Sequence, residues 1–135
     1  MKKNATLTIS LLLLILFSCA TLSNAASAVD SKEQLLKRKW QLNRQVFINH
    51  DNTGTDSSTV TGTKHDFIEF RKDGTALVMY KGSKDILQYQ VVSDSLLSIE
   101  NTTYKIIQLD NKALQLYQDN EANGNYNREW LELKQ

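Results

Sequence analysis

The amino-acid sequence predicts an all-β protein: an eight-stranded antiparallel up-and-down meander barrel preceded by a short helix. Three observations support this. The 135 residues include no proline and only five glycines. From residue 37 onward, short runs of alternating apolar and polar residues are separated by polar turns. Paired as hairpins, these runs place their apolar residues on one shared face, and closing such a sheet removes its exposed edges. An open sandwich is the alternative.

Residues 1–18 are predicted to be a signal peptide. The positive residues Lys2 and Lys3 precede a mostly apolar run over 7–17, which is the order of a secretory signal. The run is shorter than the ~20 apolar residues that a membrane-spanning helix needs. It ends at Phe17, so that only Ser18 separates it from Cys19, the only cysteine of the chain. The mature chain therefore has no intramolecular disulfide, and its stability must come from a core.

The stretch Leu16-Phe17-Ser18-Cys19 resembles a bacterial lipobox, in which a small residue precedes a cysteine that is acylated and becomes the new N-terminus. This interpretation makes Cys19 a lipid anchor and 19–29 a flexible tether, followed by one barrel domain over 30–135. The alternative is ordinary cleavage after Ala25 or Ala28. That cleavage would discard Cys19 and release a soluble periplasmic or secreted protein.

The segment before the first strand, DSKEQLLKRK, is predicted to be a short helix. Asp30 can cap it, with Glu33 three residues further on. The first strand is predicted over 39–48. Arg44 shares the parity of its apolar residues, so it is expected inside the barrel. Those apolar residues are Trp40, Leu42, Val46 and Ile48.

The segment 49–64 is predicted to be a long loop. It is either a lid over the open end of the barrel or a mobile surface loop. The remaining strands are predicted near 64–72, 75–81, 85–92, 96–100, 103–109, 113–119 and 126–133.

The stretch HDFIEFRKDGTALVMY predicts the next hairpin. Asp73-Gly74 is taken as a two-residue turn, since both residue types tolerate positive φ. The turn pairs Phe70 with Leu77. It also pairs Ile68 with Met79 on the same apolar face.

Two further hairpins follow in QYQVVSDSLLSIENTTYKII. A three-residue loop over 93–95 pairs Tyr89 with Ile99, and Val91 with Leu97. A two-residue turn at 101–102 then pairs Ile99 with Tyr104.

The last hairpin turns at Asn123-Gly124, a strong two-residue turn signal. It pairs Leu116 with Leu131 on the inner face. On the outer face it pairs Tyr117 with Trp130. The same outer face pairs Asp119 with Arg128. A turn over 110–112 sets the preceding hairpin, with Ile106 opposite Leu116 and Gln108 pointing inward near the barrel mouth.

The order of helix, Trp-bearing first strand, FIEFRKDGT, YQVVSDSLLSI and YKIIQL resembles the small lipocalin-like lipoproteins of Bacteroidota-type bacteria. The resemblance covers most of the mature chain. It implies a lipocalin-like barrel in the cell envelope, anchored by lipid and facing the periplasm or the cell surface. It also implies a small apolar or amphipathic ligand in the barrel.

The inward-facing residues form the predicted ligand site, because apolar walls with a few polar groups are typical of small-molecule pockets. Arg44 is expected to contact an acidic head group. The alternative is a filled barrel that serves as a non-catalytic interaction or scaffold domain through outer-face aromatic pairs, Phe67 with Tyr80 and Tyr117 with Trp130. The predicted site comprises Trp40, Leu42, Arg44, Phe70, Met79, Tyr89 and Tyr104.

No catalytic pattern is present, so the chain is predicted not to be an enzyme and to need no cofactor. His50 and His65 are two histidines without a convincing third metal ligand. The stretch from Asp119 imitates a calcium loop, but its twelfth residue is Trp130, and the Asn-Gly hairpin explains the same residues. The formal net charge of +1 becomes slightly negative when the leader lysines are lost, which gives no electrostatic case for nucleic acid.

Overall fold

A computed structural model describes residues 36–135, and all nine elements in that range are strands. The prediction of an all-β antiparallel barrel is confirmed. The strands are β1 Lys39–Asp51, β2 Gly54–Thr61, β3 Phe67–Phe70, β4 Thr75–Tyr80, β5 Ser83–Ser93, β6 Leu96–Ile99, β7 Thr102–Leu109, β8 Ala113–Ala122 and β9 Asn125–Lys134.

The barrel closes through the pairing of β1 with β9. The closed ring contains eight strands, β1 and β3 to β9, each antiparallel to its neighbours. β2 lies outside this ring. It pairs with the second half of β1, whereas β3 pairs with Lys39, Trp40 and Gln41 at the beginning of β1.

The predicted loop over 49–64 is wrong, because most of this segment forms the end of β1, a tight turn and β2. Asp51 is opposite Gly54, and the Asp51 carboxylate accepts a hydrogen bond from the backbone N–H of Thr53 at 2.7 Å. Both faces of β2 are largely exposed. A strand without a buried face shows no apolar alternation, so its Ser and Thr residues resemble a loop in the sequence.

β1, β2, β8 and β9 continue past the ring as a four-stranded extension over 47–51, 54–58, 118–122 and 125–129. In this region the four strands pair with one another, in the order β2, β1, β9, β8. β7 pairs with β8 only as far as Tyr117. The extension therefore stands on one side of the barrel's open end.

A β-bulge in β1 places the side chains of the strand's second half on the opposite faces from those predicted. Leu42 is opposite Leu133 and Arg44 is opposite Glu132, so Asn43 is the extra residue. An extra residue shifts every later side chain to the other face of the strand. Arg44 therefore lies outside the barrel, as do Val46 and Ile48, which are opposite Trp130 and Arg128.

The register of the β3–β4 hairpin differs from the prediction by one residue. Phe70 is opposite Ala76, and Phe67 is opposite Met79. The turn contains three residues rather than two, because Gly74 N–H bonds to Arg71 O and Arg71 N–H bonds to Thr75 O. Gly74 has φ of 82°, so this is a type I turn followed by a left-handed glycine, the common three-residue hairpin loop.

The later hairpins follow the predicted pairing closely. Leu116 is opposite Leu131, Tyr117 opposite Trp130 and Asp119 opposite Arg128, as predicted from Asn123-Gly124. Tyr89 opposite Ile99, Val91 opposite Leu97 and Ile106 opposite Leu116 are also confirmed.

Two predictions in this region are wrong. The β6–β7 turn comes one residue earlier than predicted, so Ile99 is opposite Thr102 and Leu97 is opposite Tyr104. Ile99 and Tyr104 still face inward, although they are not paired with each other. Gln108 is exposed rather than inward, because the register shifts after Ile106.

The end of the barrel away from the extension is filled by apolar side chains. Trp40 is fully buried, and its indole N–H donates to Leu36 O at 3.3 Å. Leu36 is also fully buried, directly before the first strand. The other members of this core include Phe70, Leu97, Leu114, Leu116 and Leu133.

The predicted signal peptide over 1–18, the tether over 19–29 and the lipid anchor at Cys19 lie outside the described residues. So does most of the predicted helix over 30–39. Among residues 36–135, no helical segment has the length and hydropathy that a bilayer-spanning helix requires.

Candidate functional site

A cavity of about 300 Å³ lies in the half of the barrel next to the extension. Its wall is mainly apolar and comes from six strands, β1, β3, β4, β5, β6 and β9, with Tyr104 of β7 completing it. The apolar lining includes Leu42, Phe47, Ile68, Val78, Leu87, Ile99 and Leu131. A cavity of this size with apolar walls matches the lower end of small-molecule sites.

The polar centre of the cavity is Glu129, a carboxylate with 8% exposure. Its Oε1 accepts a hydrogen bond from Gln45 Nε2 at 2.6 Å. Its Oε2 accepts one from the Tyr104 hydroxyl at 3.0 Å. A buried charge is tolerated when it is hydrogen-bonded in this way.

Tyr104 is a neutral donor at this site. Desolvation raises the pKa of the Tyr104 hydroxyl well above its ordinary value, and the charge of Glu129 and the hydrogen bond to it raise it further. The phenol therefore keeps its proton at any physiological pH and continues to donate to Glu129.

The bulge at Asn43 brings Gln45 and Phe47 into the cavity. Without it, the parity of Leu42 would carry Arg44 inward instead. On β9, Glu129 faces inward because it shares the parity of Leu131.

The structure brings together three of the residues predicted for the ligand site. Leu42 and Tyr104 line the cavity from inward positions, whereas Met79 borders it from the other face of β4, because the register shift places Met79 opposite Phe67 and Val78 opposite Ile68. Trp40 and Phe70 belong to the filled core instead, with 0% and 2% exposure.

Tyr89 packs edge-on against Phe70, with ring centroids 5.0 Å apart, and its hydroxyl donates to Arg71 O at 2.7 Å. Arg44 was predicted to face the cavity, and this prediction is wrong. Its side chain is 51% exposed and pairs with Glu132 on the outside of the barrel.

Glu129 and Gln45 are the site residues that the sequence analysis missed. The signal for Glu129 was present, since it alternates with the predicted inward residues Leu131 and Leu133. Gln45 carried no such signal, because its orientation depends on the bulge at Asn43.

The inner face of the extension becomes more polar with distance from the cavity. Phe47 and Glu129 are directly opposite each other in the row nearest to it. The next row places Asn49, Asn127 and Asn120 side by side on three neighbouring strands. These amides line a second, polar depression of about 390 Å³.

The outer face carries the predicted Tyr117–Trp130 pair, with ring centroids 4.7 Å apart. Val46 lies opposite Trp130 on the next strand. The other predicted outer pair is wrong. Phe67 is opposite Met79, whereas Tyr80 is opposite Ser83 and packs against the core.

The two histidines do not form a shared site with each other. His50 stacks on Tyr126 with ring centroids 4.9 Å apart, and its Nδ1 is 2.7 Å from Thr55 Oγ1. Within residues 36–135, no group of three or more His, Cys, Asp or Glu side chains is arranged to hold a metal ion.

No family model, curated protein or solved structure matches the chain.

Proposed function

We propose that this protein is a lipocalin-like binding module that holds a small amphipathic ligand in the open half of its barrel. The observation that carries the proposal is the uneven filling of the interior. Trp40 and Phe70 seal one half, whereas the other half keeps a cavity of about 300 Å³ with apolar walls and one hydrogen-bonded carboxylate. An apolar ligand entering it would gain about 25 cal/mol for each Å² of apolar surface removed from water.

The proposed place of action is the bacterial cell envelope. The support is the sequence pattern of a leader that ends at Cys19, since a diacylated cysteine would hold the barrel beside a bilayer. Amphipathic molecules are abundant at the surface of a bilayer. The alternative that stays open is a soluble periplasmic or secreted carrier.

A titration with the neutral fluorophore N-phenyl-1-naphthylamine tests ligand binding. We expect saturable binding to the wild type, and loss of binding in Val78→Phe, which fills the cavity from β4. Val92→Phe is the matched control, because Val92 is 53% exposed. Absence of saturable binding to the wild type, or equal binding to both variants, would overturn the proposal.

A second candidate function is a non-catalytic interaction domain that uses the outer face. The observation that favours it is the Tyr117–Trp130 pair, whose rings are in contact at a tilt of 42°, with Val46 beside it, since aromatic residues are enriched at contact surfaces. Trp130→Ser tests it in a pull-down from cell lysate. If every partner of the wild type is retained, this face is not the interface.

A further inference from the structure

We propose that the ligand is a cationic amphiphile, with an ammonium group on Glu129 and an apolar chain extending toward Leu131. The inference rests on the proposed binding function and specifies the ligand class. It follows from the sign of charge in the cavity, the free acceptor positions of Glu129 and the polarity gradient along β9.

The charged side chains that line the cavity are both acidic. They are Glu129 on β9 and Asp85 on β5. Among the described residues that form the lining, none is Lys, Arg or His. A carboxylate in a place of low dielectric attracts a cation more strongly than the same carboxylate in water. The lining therefore favours a positive ligand and disfavours a carboxylate.

Two cations approach the lining from outside but leave its charge uncompensated. Lys81 Nζ is 5.1 Å from the centroid of the Tyr80 ring, and Lys39 Nζ is 3.7 Å from that of Phe67. Both contacts are with aromatic faces. The groups that bond to Glu129 itself, Gln45 and Tyr104, are neutral donors.

Glu129 retains room for another donor. An ionised carboxylate offers about four acceptor positions, and Gln45 and Tyr104 occupy one on each oxygen. An ammonium group can therefore bond to Glu129 without displacing either residue. A hydrogen bond between two charged groups is about twice as strong as one between neutral groups.

The inward residues of β9 orient the ligand. Leu133 belongs to the filled end, Leu131 lines the cavity, Glu129 follows, and Asn127 stands in the amide row of the extension. Polarity thus increases in steps from the closed end to the opening. An amphiphile with its apolar chain at Leu131 and its charged head at Glu129 matches this gradient.

Three ligands with the same eight-carbon chain test the proposal at pH 7: octylamine, octanol and octanoate. Each is titrated against the full chain loaded with N-phenyl-1-naphthylamine. Octylamine is protonated at this pH, like a lysine side chain. We expect octylamine to displace the dye with an affinity about tenfold higher than octanol, with octanoate weakest.

Glu129→Gln should abolish the preference for octylamine over octanol, which is a ratio of two affinities measured on the same variant. Glu132→Gln is the matched control, because Glu132 pairs with Arg44 on the outside, and it should keep the preference. Should Glu129→Gln fail to fold, Asp85→Asn at the exposed side of the cavity should weaken octylamine alone, by about threefold.

The outcomes separate the two proposals. Equal affinity of octylamine and octanol, or a preference retained in Glu129→Gln, would overturn the cationic ligand while binding itself stands. If neither the dye nor any of the three ligands binds, the proposed function fails as well.

Discussion

The Tyr104 hydroxyl donates to Glu129 Oε2 over 3.0 Å, and this bond joins β7 to β9 across the barrel interior. β8 separates these strands in the sheet, so the bond is not part of a backbone ladder. Gln45 adds β1 to the same network through Glu129 Oε1. The three side chains therefore fix the width of the cavity at the level where it turns polar.

Tyr104→Phe is expected to lower the free energy of unfolding by about 1–2 kcal/mol, because it removes a bond to a carboxylate with 8% exposure. Urea denaturation measures this change. The matched control is Tyr117→Phe, whose hydroxyl donates to Asp119 Oδ2 at 2.9 Å on the outer face. Water can replace that exposed bond, so the control should change stability little. Equal losses in the two variants would contradict the role given to the interior network.

Asp66 connects the segment after β2 to the β4–β5 turn through hydrogen bonds. Its Oδ2 accepts from Thr63 N–H and the Thr63 hydroxyl at 2.8 and 2.7 Å, and its Oδ1 accepts from Lys81 N–H at 2.7 Å. The bond from the Thr63 side chain lowers the pKa of Asp66, and the two backbone N–H bonds lower it further. Ionised Asp66 therefore stabilises the fold.

Asp66→Asn should destabilise the protein at pH 7, and its deficit relative to the wild type should shrink in acid. A carboxyl with a lowered folded-state pKa contributes fully above its unfolded value of about 3.9 and loses that contribution as pH falls through the folded value. Urea midpoints at pH 7, 5, 3 and 2 measure the deficit. Asp56→Asn on β2 controls for the loss of one surface carboxylate. A deficit independent of pH would refute the assignment.

The β8–β9 hairpin shows why part of the fold was predictable. Asn123-Gly124 determines a two-residue turn, and the alternation of Leu131 and Leu133 independently determines the inward face. Because both signals agree on one register, Leu116 was correctly paired with Leu131, and Tyr117 with Trp130. Glu129 follows from the same alternation, so this part of the site was accessible from sequence.

The β1–β2 region shows why the rest of the fold could not be predicted from the sequence. Arg44 has the parity of Trp40 in the sequence, and only the extra residue at Asn43 turns it outward. The bulge arises in the pairing of β1 with β9, a strand distant in the sequence, which no local pattern encodes. β2 has no buried face, so its residues lacked the alternation that identifies a strand.

Cys19→Ser is expected to block lipoprotein processing and shift the protein from the membrane fraction to the soluble fraction. A single acyl chain binds membranes only marginally, whereas two or more hold a protein stably, so under the proposal that Cys19 is acylated its replacement removes the anchor. Radiolabelled palmitate incorporation and fractionation measure this. Ser18→Ala, which keeps a small residue before the cysteine, is the control. A wild type that takes up no palmitate and begins at Ala26 or Val29 would show that Cys19 is only part of the leader.

Gly62 is the glycine at which an added Cβ should destabilise the fold most. It follows β2 at the level of the bulge, and its N–H donates to Asn43 O at 3.1 Å. A Cβ at this position would lie 2.1 Å from Leu42 O and 2.8 Å from Leu42 Cβ. Hydrogen bonds hold the backbone at both Gly62 and Leu42. The clash can therefore be relieved only if the end of β2 moves away from β1 at Asn43, the bulged residue whose presence turns Gln45 inward.

Gly62→Ala should therefore lower the free energy of unfolding by about 2 kcal/mol or more, in the range of overpacking substitutions. It should also weaken binding of N-phenyl-1-naphthylamine, because a displaced bulge misplaces Gln45 and Phe47 in the cavity wall. Thr59→Ala on the exposed part of β2 is the control and should change stability by less than about 0.5 kcal/mol. If Gly62→Ala is as stable as this control and binds the dye equally well, the close approach of Gly62 to Leu42 does not hold the bulge in place.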